Sequence, residues 1–205
     1  MFITFEGLDF CGKSTQVELL RDYYLKKNAK IKVIREPGGT EISEKIREVL
    51  LDKKNLKMTV ESEILLFSAS RAQLVREIIK PALREGTIII SDRFHDSLTA
   101  YQGFGRNIPL DFVEAINKFV IGDCIPDITF FIDLNLEEIE KRKSNSRLFE
   151  LDRIELSKNH FYEKVREGYL YLAGKEPRFK RINGSDTIEN IHKKIISEIE
   201  IYEKS

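Results

Sequence analysis

A short apolar run, Phe2 to Glu6, leads straight into Gly7-Leu8-Asp9-Phe10-Cys11-Gly12-Lys13-Ser14, and a helical pattern begins at residue 13. This is the spacing G-x-x-x-x-G-K-[ST], set between a strand and a helix as the motif requires. Glycines let successive backbone N–H groups converge on phosphate oxygens, and the start of the helix adds its positive end. Lys13 can reach the terminal phosphates of a nucleoside triphosphate, and Ser14 can ligate Mg²⁺. Such a loop belongs to an open α/β sheet, which binds ligands beyond the carboxyl ends of its strands.

The rest of the chain supplies that sheet. Brief β-branched runs at Phe2 to Glu6, Ile31 to Arg35, Thr87 to Ser91, Ile128 to Asp133 and Phe179 to Ile182 read as buried strands. Helical patterns fill the intervals at about 13 to 28, 41 to 51, 60 to 85, 94 to 103, 110 to 122, 135 to 143, 151 to 173 and 187 to 203. Alternation of this kind predicts a parallel sheet flanked by helices. No linker or repeat divides residues 1–205, so one α/β domain is expected.

Composition narrows the partners. Lys+Arg and Asp+Glu each total 34, so no net field draws in nucleic acid or membrane, and an anionic ligand must be gripped locally. No apolar run approaches the ~18 residues of a membrane span. Glu6 and Asp9 sit where a signal peptide would need an uninterrupted apolar core, and a cytoplasmic location is expected. Cys11 and Cys124 have no metal or redox spacing and read as reduced thiols.

A second site should lie at the other strand ends. After the second strand comes Arg35-Glu36-Pro37-Gly38-Gly39-Thr40; after the third come Asp92, placed for a metal-associated acid, and Arg93, placed to clamp a phosphate. In the helix from residue 60, Ile64, Phe67, Arg71, Leu74 and Ile78 form one stripe. Arg71 interrupts that apolar face, so its guanidinium must be paired or must meet a ligand. Phe67, one turn earlier, can offer a ring for stacking beside it.

These segments together resemble the thymidylate kinases along nearly the whole chain, through FEGLDFCGKSTQ, REPGGT, FSASRAQ, DRFHDSLTAYQG and ELDRIE. The resemblance implies a P-loop NTPase three-layer fold, transfer of phosphate from ATP to dTMP with Mg²⁺, and a homodimer. It places ATP on Gly7, Leu8, Asp9, Phe10, Cys11, Gly12, Lys13, Ser14 and Thr15, with Mg²⁺ at Ser14 and Asp92. Phe67 would stack on thymine and Arg71 would bond its carbonyl, with Gln102 and Ser97 by the base edge. Tyr101 would lie beneath the deoxyribose and Asp9 near its 3′-hydroxyl, while Arg93, Glu36 and Arg47 would frame the monophosphate. A related kinase acting on dUMP or a deoxynucleoside is the alternative. A GTPase would need N-K-x-D, and the nearest match, NKFV at 117 to 120, lacks the acid.

A phosphate monoester has a second pKa of ~6, so the acceptor needs no general base at neutral pH. Cations must instead screen two anions brought face to face. Some thymidylate kinases place an arginine in the loop where this chain has Phe10. The basic stretch Lys141 to Glu155 resembles the lid of the bacterial type, which supplies arginine instead. A lid of about 141–153 is expected, with Arg147 as the catalytic finger and Arg142, Lys143 and Arg153 beside it. By the same analogy adenine would lie between Arg142 and the loop Asn183 to Thr187.

Overall fold

A computed structural model describes residues 1–145, 152–154 and 159–204. Five parallel strands form its single sheet: β1 (Phe2–Glu6), β2 (Ile31–Arg35), β3 (Ile88–Asp92), β4 (Ile128–Asp133) and β5 (Phe179–Asn183), in the order β2-β3-β1-β4-β5. Both β1 and β4 are buried at every position, which is why they read as continuous apolar runs without alternation. The edge strands β2 and β5 carry exposed charged residues.

Helices cover both faces: α1 (Lys13–Lys26), α2 (Glu41–Leu51), α3 (Val60–Leu74), α4 (Lys80–Arg84), α5 (His95–Leu98), α6 (Leu110–Ile121), α7 (Leu136–Asn145), α8 (Asn159–Lys175) and α9 (Ile188–Tyr202). Thr40, Thr59 and Thr187 cap α2, α3 and α9 by accepting from the backbone N–H three residues on. One apolar layer joins β1 and β4 to α1, α8 and α9, with the Phe131 and Tyr169 rings stacked at 5.2 Å between centroids. The other packs Phe2, Leu74, Val75, Ile79, Phe94 and Val120 on the opposite side. Among the described residues, no helix is long and apolar enough to cross a membrane.

Several expected boundaries move. Strand β3 begins and ends one residue later than its apolar run suggested, and β5 extends to Asn183. The helical run 60–85 is broken by a π turn at Val75–Ile79, because Pro81 lacks the N–H that an α-helix would direct back along the chain. The run 94–103 becomes the short α5 followed by a π-helix at Thr99–Gly105. A Cβ on Gly105 would fall 2.6 Å from the Phe161 ring, so this widened turn presses directly on α8. Residues 152–154 lie outside any helix, and the helix expected from 151 is described as α8, Asn159–Lys175. Arg153 directs two of its donors to α2, with N–H bonded to Leu51 O at 3.2 Å and Nε to Leu50 O at 2.7 Å.

Candidate active site

The P-loop closes around its own backbone. Gly7 has φ +142°, and a Cβ there would lie 2.6 Å from Ile132 O on β4, so only glycine lets the loop leave β1 this close to the sheet. Gly12 occupies the cap position of α1 in the left-handed region, with no side chain bonded to the helix start. The first N–H groups of α1 are thus kept from any side-chain cap, as an anion-binding loop requires.

Beyond the ends of β1, β2 and β3 lies one cleft of about 600 Å³. It gathers Asp9, Phe10, Gly12, Lys13, Ser14 and Thr15 from the loop, Glu36 and Arg47 from the second junction and helix, Phe67 and Arg71 from α3, and Asp92, Arg93, Ser97, Tyr101 and Gln102 from the third junction. Gly7, Leu8 and Cys11 form the inner side of the loop, and the Leu8 and Cys11 side chains are buried. Arg142 sits behind the loop, where Nη1 donates to Cys11 O at 3.2 Å and Nη2 to Gly184 O at 2.9 Å. Arg147 lies outside the described residues.

Lys13 is 6% exposed and its Nζ donates to Leu8 O at 2.7 Å. Ser14 Oγ donates to Asp92 Oδ2 at 2.6 Å, uniting the loop with the end of β3. Arg93 holds a left-handed backbone, φ 69°, an uncommon conformation for a residue with a long side chain. Its Nη2 donates to Asp9 Oδ1 at 2.6 Å and Tyr101 Oη at 3.0 Å; its Nη1 donates to Tyr169 Oη at 3.0 Å and Ser97 Oγ at 3.2 Å. Burial would push the Asp9 carboxyl up, but Arg93 and Lys13 outweigh it and hold it below its ordinary value.

Arg71 has found a partner: Nε donates to Glu36 Oε2 at 2.6 Å and Nη2 to Phe94 O at 3.2 Å. Burial pushes the Glu36 carboxyl up to about 7 even against the arginine. The remaining buried atoms, Arg71 Nη1 and Glu36 Oε1, bond nothing among the described residues, and both side chains border the cleft. Arg47 and Arg35 bracket the carbonyl of Pro37, at 2.8 and 3.3 Å.

Arg153 is expected beside Arg147, which lies outside the described residues. Arg153 itself is 8% exposed, and its Nη1 lies 2.7 Å from Glu63 Oε2. Its neighbours Asp152 and Ile154 border the cleft instead, which the charge pattern of that stretch did not reveal. Sequence reasoning also missed Glu6, which underlies Arg93: its carboxylate accepts from Phe94 N–H, Ser97 Oγ and Tyr169 Oη. Glu63 was missed although a signal existed, since it precedes Phe67 and Arg71 at successive helical turns on the same buried stripe.

The thymidylate kinase family profile matches residues 5–195. The chain belongs to that family. Thymidylate kinase of Thermoanaerobacter sp. (strain X514) is 45% identical over 202 residues, covering 98% of both chains. That of Chlorobium luteolum is 46% identical over 204 residues, covering 96% of this chain and 95% of its own. A crystal structure of thymidylate kinase from Ehrlichia chaffeensis matches with a TM-score of 0.79 at 37% identity, covering 98% of each chain. The thymidylate kinase family thus accounts for the five-stranded parallel sheet, the P-loop and the cleft beside it as one unit.

Proposed function

We propose that this chain is an ATP:dTMP phosphotransferase, moving the γ-phosphoryl group of ATP to dTMP to give dTDP, in the cytoplasm. The observation that carries this reading is the pairing, in one cleft, of a phosphate-binding loop with a buried arginine that keeps a donor in reserve beside an aromatic ring. Arg71 Nη1 is offered to a pyrimidine carbonyl, Phe67 to its face, and Gln102 and Ser97 to its edge. Tyr101 and Asp9 meet the deoxyribose, and Arg93, Arg47 and Glu36 frame the monophosphate. Lys13 and the N–H groups of residues 7 to 15 hold the donor phosphates, and Arg142 stands near adenine.

Transfer then depends on alignment and on screening of charge, with no proton to remove from an ionised acceptor. The Ser14 hydroxyl and the Asp92 carboxylate are hard oxygen donors, and they suit Mg²⁺. Bound there, Mg²⁺ would neutralise charge on the triphosphate. Among the described residues no cluster of three or more His, Cys, Asp or Glu side chains could hold a metal, so phosphates and water would complete its shell. Arg93 and Lys13 flank the transfer path, and Arg147 is assigned the lid cation on its sequence context alone.

Two copies pair through α3 and α6, where Leu65, Phe112 and Phe119 stand exposed at 57, 49 and 81%. The test of function is an ADP-release assay across dTMP, dUMP, dCMP and thymidine. Turnover fastest with dTMP supports the proposal; thymidine used faster than dTMP would overturn it.

A further inference from the structure

We infer that Glu63 is a positioning residue that fixes which way the Gln102 amide faces, making the base pocket an acceptor that selects pyrimidines carrying an N3–H. This rests on the reading of the cleft as a dTMP site.

Glu63 is 2% exposed, at the start of α3. Its Oε1 accepts from Gln102 Nε2 at 3.0 Å and Arg106 Nε at 3.1 Å; its Oε2 accepts from Arg106 Nη2 at 3.3 Å and pairs with Arg153 Nη1 at 2.7 Å. Burial would favour the neutral acid, but these donors outweigh it and hold the carboxyl below its ordinary value. An ionised carboxylate only accepts. The amide of Gln102 must therefore turn its NH₂ toward Glu63, and a flip would set carbonyl oxygen against carboxylate.

The opposite end of the amide is what the cleft receives. Gln102 is 2% exposed yet borders the cleft, and its Oε1 accepts no hydrogen bond among the described residues. Thymine and uracil present N3–H, a donor; cytosine presents an N3 lone pair. Acceptor against acceptor leaves both desolvated groups unpaired, the situation in which a polar site discriminates strongly. The arrangement is braced from two sides. The Arg106 guanidinium lies 4.3 Å from the Phe161 ring centroid, and Arg153 is anchored to Leu50 O, so the carboxylate has little freedom to swing.

A carboxylate that served only as counter-charge for Arg106 and Arg153 would leave base preference untouched. The experiment compares kcat/KM for dTMP and dCMP in the native chain, Glu63→Gln and Glu63→Asp, with melting temperatures alongside. A neutral amide at 63 tolerates either orientation of Gln102, and the shorter acid keeps charge for the arginines while withdrawing from the amide. In whichever variant folds, the dTMP:dCMP ratio should fall by about tenfold or more, chiefly through KM. Adding Glu63→Gln to Gln102→Ala should change the ratio no further. An unchanged ratio in a folded variant overturns the inference, and so does failure of both variants to fold, which would make the carboxylate a folding element only. A native chain unable to phosphorylate dTMP defeats the dTMP reading first, and this inference falls with it.

Discussion

The hydroxyl of Ser14 and the carboxylate of Asp92 meet at 2.6 Å, so the phosphate-binding loop and the carboxyl end of β3 are already joined at one point. If that point holds Mg²⁺, Asp92→Asn removes the one negative charge that this pair supplies to it, with little change in side-chain volume. The Mg²⁺ concentration giving half-maximal rate should rise about 10- to 100-fold. Titration of initial velocity with MgCl₂ checks this, and an unmoved midpoint would place the metal elsewhere.

Among the described residues the Lys13 Nζ bonds within its own loop, to Leu8 O and Cys11 Sγ, which leaves its charge for a phosphate. Lys13→Met should lower kcat roughly 10²- to 10³-fold, the scale for loss of one preorganised donor. The melting temperature should hardly change. Single-turnover kinetics with dTMP separate this from a binding defect, and full-rate transfer by the variant would remove Lys13 from the mechanism.

Arg71 and Glu36 form a pair 3 and 2% exposed at the side chain. Arg71→Met strands a buried acid and should cost about 1 to 3 kcal/mol, limited because Glu36 can take up a proton near neutral pH. Arg71→Met with Glu36→Gln should recover most of that stability while KM for dTMP stays raised. Urea denaturation and steady-state kinetics together test the split; recovery of KM along with stability would show that the pair is purely structural.

Burial and the charge of Asp96 push the Glu6 carboxyl from 4.5 up to about 7, against Arg93, Ser97 and Tyr169. The folded chain therefore binds this proton more tightly than the unfolded chain does. The stabilisation is fully present below about 4.5 and is lost as pH rises through about 7. Glu6→Gln should flatten that decline, by up to ~1.4 kcal/mol per pH unit. Denaturation curves at several pH values between these limits provide the measurement. A steeper decline in the variant would contradict the assignment.

Phe119 is 81% exposed on α6, about two turns from exposed Phe112. A charge there should split a dimer without touching the cleft. Phe119→Glu is expected to halve the mass seen by sedimentation equilibrium, and a native chain that sediments as a monomer would end the homodimer proposal.

Local spacing settled a great deal in this chain. The phosphate loop, the buried strands β1 and β4, and the anomalous Arg71 on an apolar stripe all follow from residues that neighbour one another along the backbone, where helical and strand periods apply directly. Tertiary structure alone decided that Arg71 pairs with Glu36, that Arg153 pairs with Glu63, and that Glu63 grips Gln102. It also set the strand order and the π turns before Pro81 and against α8. The reason is physical. A periodic pattern says which face of an element is buried, but the partner across that face is fixed by how the whole sheet and its helices pack, and that choice is spread over the entire chain.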